Sequence, residues 1–191
     1  LEAVVNKFVD VRTKELGKSQ IAVVIMDRTG AIVGMVGGKD YQKSQYNRAI
    51  YAKRQPGSTF KTFVYLNAFE KGMKPDDIIE DKKINIGTWL PDNYNGKYLG
   101  EVSLKEAFAN SINSVSIQLA QNNNLDDLAL LAKKLGIISE IKSNDLTIAL
   151  GTSEVSLLEL TTAYASIANN TKPLIPYFIL SIEDDKRHSL F

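Results

Sequence analysis

The spacing of apolar and polar positions divides the chain into a short β-rich start and a longer helical stretch. Val4, Val5, Phe8, Val9 and Val11 recur at helical intervals and predict a helix over about residues 1–16, which Gly17 stops. The period then shortens. Gln20–Met26 is almost wholly apolar and β-branched, Asp27-Arg28-Thr29-Gly30 carries turn residues, and Ala31–Val36 is apolar again. This predicts a β-hairpin turning at Gly30 and ended by Gly37-Gly38. Strands so continuously apolar are expected to be covered on both faces.

A helical pattern returns at Ser58–Lys71, with Gly72 placed to terminate it and Pro75 beyond. Residues 73–102, rich in Asp, Asn, Gly and Pro, read as an irregular excursion. Ser103-Leu104-Lys105-Glu106 is a capping box, in which the serine hydroxyl and the glutamate carboxylate each take up an exposed amide. It predicts a short helix to about Ala109, then a break, then another helix at Ser114–Gln121. Leu125–Leu135 is a further helix closed by Gly136. Ser156-Leu157-Leu158-Glu159 is a second capping box and opens a helix to about Ala168. Tyr177–Ile182 reads as a strand. The class is therefore α+β: an N-terminal helix and β-hairpin at 1–55, a mostly helical region at 56–172 and a strand region at 173–191.

Composition narrows the chemistry. The 191 residues carry 23 basic and 22 acidic side chains, a net charge of +1 with no basic block, which argues against a nucleic-acid binder. With no cysteine there is no disulfide, thiolate metal site or cysteine nucleophile. The single histidine, His188, reads as a tail residue, so a histidine-rich zinc site is excluded. The longest apolar run, Ile21–Met26, is far shorter than the ~20 residues of a bilayer span, and no signal peptide opens the chain. Asp76, Asp77, Glu80 and Asp81 read as solvated loop charge rather than a metal site. Trp89 reads as a loop anchor, and Tyr65 and Phe69 as core.

The candidate chemistry lies at Arg54-Gln55-Pro56-Gly57-Ser58-Thr59-Phe60-Lys61. A serine after Pro-Gly is a favoured helix cap, and a lysine three positions on is compatible with a solvated surface charge. The same spacing places Lys61 on the face of Ser58, one turn away, with its amine in reach of the hydroxyl. Phe60, Phe63, Val64 and Leu66 make that helix apolar, and burial lowers a lysine pKa until the amine serves as a general base. A helix N-terminus also favours developing negative charge beside the serine. Ser111-Ile112-Asn113 falls in the break between two helices, where the hydroxyl is able to relay a proton and the amide to bind a peptide group. Taken alone, each motif also fits an ordinary helix end.

These segments resemble the transpeptidase domain of class A penicillin-binding proteins. The likeness runs from about Gln20 to Asp185 and takes in Met35-Val36-Gly37-Gly38-Lys39-Asp40-Tyr41 and Asn47-Arg48-Ala49, besides the Ser58 segment itself. It continues through Trp89-Leu90-Pro91-Asp92-Asn93-Tyr94, Val102 to Ala107, Ser111-Ile112-Asn113, and Ala149-Leu150-Gly151 with Glu154 to Leu160. Arg54-Gln55 before Pro-Gly-Ser is similar to class A rather than class B, and Ser-Ile-Asn departs from the Ser-Asp-Asn of class A β-lactamases. The resemblance implies the penicillin-binding and serine β-lactamase-like fold. It implies Ser58 as the acylated nucleophile, Lys61 as its base, Ser111 as proton relay and Asn113 as substrate-amide ligand.

The implied reaction is D,D-transpeptidation. Ser58 is acylated by a stem peptide ending in D-Ala-D-Ala, and an amine of a second stem resolves the acyl-enzyme into a cross-link. β-Lactams are the implied covalent inhibitors, other cell-wall synthesis proteins the implied partners, and no metal or cofactor is called for. The family works at the periplasmic face of the bacterial inner membrane, held by an anchor outside this sequence. One element of the family pattern is missing: no Lys-Thr-Gly occurs in the 191 residues. That motif supplies a carboxylate anchor and one oxyanion amide, so the sequence is expected to be the front part of the domain and poorly active alone. A non-catalytic scaffold that keeps the motifs, or a serine β-lactamase or carboxypeptidase, stands as the alternative.

Overall fold

The hairpin read from the two apolar runs is formed, and its turn is made by one carboxylate. Asp27 Oδ1 accepts from Thr29 N at 2.7 Å, Thr29 Oγ1 at 2.6 Å and Ala31 N at 3.1 Å, while Gly30 takes φ +95°. The computed structural model describes every residue except 1, 16, 18, 171, 172, 186, 187 and 189–191. In chain order its elements begin α1 (Glu2–Glu15), β1 (Val23–Met26), β2 (Ile32–Val36), α2 (Arg48–Tyr51) and β3 (Lys53–Arg54). After a 3₁₀ turn at Gly57–Phe60 come α3 (Lys61–Glu70), β4 (Ile78–Asp81), β5 (Gly100–Ser103), α4 (Leu104–Ala109), α5 (Asn113–Asn122) and α6 (Leu125–Leu135). A second 3₁₀ turn at Leu146–Leu150 leads to β6 (Val155–Ser156) and α7 (Leu157–Ala168). The chain divides into two compact units.

The first unit comprises Leu1–Lys53, Leu135–Ile138 and Val155–Phe191. Here β1 and β2 run antiparallel, Val23 opposite Val36 and Ile25 opposite Gly34, with an irregularity before Met26. Helix α7 packs on β1, α2 on α7, and α1 on β2 with Val5 and Val9 buried. The strands are half-buried and Val33 is 46% exposed, so the expectation of two covered faces does not hold. The expected strand at Tyr177–Ile182 reduces to one parallel bridge, Ala31 with Tyr177, held by Ile32 N to Tyr177 O at 2.8 Å and Tyr177 N to Gly30 O at 3.0 Å. Phe178, Ile179 and Leu180 are exposed. An apolar run becomes a strand only where a neighbour takes its backbone groups, which the run itself cannot supply. The capping box at Ser156 and Glu159 starts α7 as its sequence predicts.

The second unit comprises Arg54–Lys134 and Ser139–Glu154. Helix α5 lies at its centre, against α3, β4 and the Leu146–Leu150 turn, with Phe60, Phe63, Leu104, Ile117 and Ile148 among the fully buried side chains. The other capping box, Ser103 with Glu106, starts α4. The excursion at 73–102 is more ordered than its composition suggests. Its ends pair as an antiparallel ladder, Ile78 opposite Ser103 through Asp81 opposite Gly100, and Trp89 closes a turn with Ile86 through two backbone bonds of 3.0 Å. Only two apolar residues, Ile78 and Ile79, mark β4, too few to signal a strand. Asp81, expected in solvent with its acidic neighbours, is instead 1% exposed. Among the described residues no helix is long and apolar enough to cross a membrane.

A close backbone contact joins the Ser58 turn to the end of the Leu146–Leu150 turn. Gly57 N donates to Gly151 O at 3.2 Å, and a Cβ on Gly151 would lie 2.1 Å from Gly57 O. Gly151 holds φ +74° and Gly87 φ +62°, but a Cβ on Gly87 meets nothing within 4 Å. Gly87→Ala is therefore expected to cost about 1 kcal/mol through φ alone. Gly151→Ala adds a clash with backbone, which cannot rotate away, and is expected to cost at least about 2 kcal/mol more in urea unfolding.

Candidate active site

Ser58 stands in the 3₁₀ turn that precedes α3, with Gly57 at φ +58° turning the chain into it. The residues flanking these helices, Pro56 and Phe60, make no side-chain cap, so Ser58 is not the N-cap its sequence also allowed. Its side chain is exposed, whereas Lys61 at the first position of α3 is 2% exposed, between buried Phe60 and Phe63. The predicted Ser-x-x-Lys thus places an open hydroxyl and a buried amine one helical turn apart.

The amine, however, is bonded to the second motif and not to Ser58. Lys61 Nζ donates to Ser111 O at 2.6 Å, Ser111 Oγ at 3.1 Å and Asn113 Oδ1 at 2.6 Å. Three acceptors match the three protons of an ammonium group. Among the described residues no carboxylate forms an ion pair with it. Burial removes the water that favours the charge, and desolvation lowers the Lys61 pKa to about 8. The hydrogen bonds oppose that fall without cancelling it. Ser58, Lys61, Ser111 and Asn113 are all in the second unit, and the last three are in direct contact.

The break between α4 and α5 explains how Ser111 reaches the amine. Ile112 N donates to Ala107 O and Ser111 N to Phe108 O, both at 3.0 Å, which is the Schellman pattern of a helix end. Its left-handed position is normally glycine, yet Ser111 occupies it at φ +52°. That conformation costs about 1 kcal/mol for a residue with a Cβ and turns both Ser111 oxygens toward Lys61.

Helix α5 then begins after Ile112, which has no side-chain acceptor to cap it. Asn93 does so from twenty residues upstream, its Oδ1 accepting from Asn113 N and Ser114 N at 3.1 Å each. Asn113 Nδ2 donates to Asp92 O at 2.9 Å, which leaves Oδ1 facing Lys61. Asn93 was legible only as part of a resemblance. The signal that points to it physically is the apolar residue at the cap of a buried helix, whose free amides require an acceptor from elsewhere.

The family model described as the penicillin binding protein transpeptidase domain matches residues 20–190. Penicillin-binding protein 1A of Rickettsia felis is 38% identical over 170 residues, 85% of this chain and 21% of that protein. Penicillin-binding protein 1A of Pseudomonas aeruginosa is 34% identical over 179 residues, 90% of this chain and 22% of that protein. The chain thus spans about a fifth of the length of the curated relatives it matches. Among solved structures, penicillin-binding protein 1A from Haemophilus influenzae superposes with a TM-score of 0.81 at 31% identity, covering 90% of this chain and 27% of that one. PonA1 from Mycobacterium tuberculosis gives 0.83 at 23% identity, covering 97% and 52%.

The lowered lysine is directly measurable. In ¹⁵N-lysine NMR, Lys61 is expected to titrate with a midpoint of about 8, and an ordinary midpoint near 10.5 would show that the amine is hydrated.

Proposed function

From its membership of the penicillin-binding protein transpeptidase domain family, in the class A branch, we propose that this chain cross-links peptidoglycan by D,D-transpeptidation through a Ser58 acyl-enzyme. The observation that carries the reading is the desolvated Lys61 amine, one turn from an open serine and bonded to Ser111 and Asn113. Loss of one proton converts the ammonium to an amine with a lone pair and two N–H groups, so one of its three bonds is released. The lone pair then takes the Ser58 proton as Oγ attacks the penultimate D-alanine carbonyl.

Ser111 Oγ, at 3.1 Å from Lys61 Nζ, passes a proton to the departing D-alanine amine and is reprotonated from Lys61. The second stem's amine attacks the ester, yields its proton along the same path and releases Ser58. One N–H of Asn113 is engaged by Asp92 O, and the other is available to a substrate carbonyl. β-Lactams acylate Ser58 by the same attack and leave slowly, and the reaction belongs to the periplasmic face of the membrane. Because Lys-Thr-Gly is not within these residues, the reading expects them alone to acylate more slowly than a protein that also carries it.

Fluorescent penicillin tests the mechanism. Labelling is expected for the wild-type chain and absent in Ser58→Ala, and Lys61→Met should slow it about a hundredfold or more. The base acts when neutral and its folded pKa is depressed, so the acylation rate should rise with pH through about 8 and then level. Equal labelling of Ser58→Ala, or turnover of the β-lactam in place of stable acylation, would overturn the reading. Ser111→Gly should separate fold from chemistry: relief of about 1 kcal/mol of φ strain is offset by loss of the Oγ acceptor from buried Lys61, so stability by urea unfolding should not rise, while labelling slows for want of the relay hydroxyl.

A further inference from the structure

Asp81 is a buried carboxylate that the reaction above leaves unused. It ends β4 at 1% exposure, and among the described residues no Lys, Arg or His forms an ion pair with it. A buried charge without a counter-charge is sustained only by hydrogen bonds, and removing them is costly. Asp81 has three, each from a different segment. Oδ1 accepts from Asn93 Nδ2 at 2.8 Å and from Ser114 Oγ at 2.5 Å, and Oδ2 accepts from Leu99 N at 2.9 Å.

The consequence falls on Asn93. A carboxylate only accepts, so Asn93 must turn its Nδ2 toward Asp81, where the same nitrogen also reaches Lys97 O at 2.9 Å. Its Oδ1 is thereby forced to the opposite side, against Asn113 N and Ser114 N. Were the amide to flip, an NH₂ group would face two N–H donors and the start of α5 would lose its cap. Asn113, fixed at its amide, presents Oδ1 to Lys61 Nζ at 2.6 Å. A continuous path of hydrogen bonds thus joins Asp81, Asn93, Asn113 and Lys61.

We propose that Asp81 is a positioning residue for acyl transfer: together with Lys97 O it anchors the Asn93 amide, and that amide seats Asn113 against the Lys61 amine. The inference rests on Lys61 being the base for Ser58. Asp81→Asn keeps the shape of the side chain but has one acceptor oxygen where the carboxylate has two, so it cannot take the donors of Asn93, Ser114 and Leu99 together, and the hold on the Asn93 amide that Asp81 shares with Lys97 O is weakened. Asn113 Oδ1 then withdraws from Lys61, and the charged amine loses an acceptor that favours it. The Lys61 midpoint must fall, not rise.

The test is ¹⁵N-lysine NMR of the full chain beside penicillin acylation kinetics. In Asp81→Asn the Lys61 midpoint is expected about half a pH unit or more below wild type. The second-order acylation rate should drop about tenfold or more at an undiminished final labelled fraction. A purely architectural role lowers the labelled fraction and leaves the midpoint in place, and an unchanged midpoint overturns the inference. Should Asp81→Asn fail to fold, Asn93→Ala breaks the middle of the path and an unchanged midpoint there overturns it equally. If the wild-type chain is never acylated, the reading of Ser58 has failed, and the Lys61 midpoint still decides the role of Asp81.

Discussion

The second unit is organised around an amine withdrawn from water. An ammonium group at 2% exposure, in no ion pair with a carboxylate among the described residues, is tolerable only if its protons all find oxygen, and the acceptors it has there come from residues 111–113. This requirement explains features that look unrelated along the chain. It explains a serine where a helix end favours glycine, because glycine has no side-chain acceptor to offer the amine. It also explains why the start of α5 must be held in place: a shift of the helix would strand the charge.

The supports for that arrangement are polar and buried. Asp81, Asn93 and Ser114 form a connected cluster in which each donor meets an acceptor, so none carries the penalty of an unpaired group. On the other side, Gly57 and Gly151 bring two backbone turns into contact, which fixes where the Ser58 turn begins. Ser58 itself is left open. Its exposure and the burial of Lys61 suit the proposed acyl transfer, in which a large peptide must reach the hydroxyl while water stays away from the amine.

Much of this was legible in the chain. The two capping boxes, at Ser103 and Ser156, placed the starts of α4 and α7, since the pattern satisfies its own amides locally and needs no tertiary partner. The hairpin was legible for a similar reason: Asp27 closes its turn within four residues. The errors share the opposite cause. The strand expected at Tyr177–Ile182 required a neighbour, the β4–β5 ladder joined segments about twenty residues apart, and Asp81 was buried by partners at 93, 99 and 114.

By itself, the sequence determined the helices with local caps, the β-turn, the apolar face that buries Lys61 and the four residues proposed for the site. It also carried the family, through motifs in a fixed order. Tertiary structure alone decided what the buried amine touches, which way Asn93 and Asn113 face, and that one of four clustered acids is interior. The division follows from physics. Local hydrogen bonds and periodicity are properties of a few neighbouring residues, whereas desolvation and the sharing of a buried proton exist only after distant segments have excluded water together.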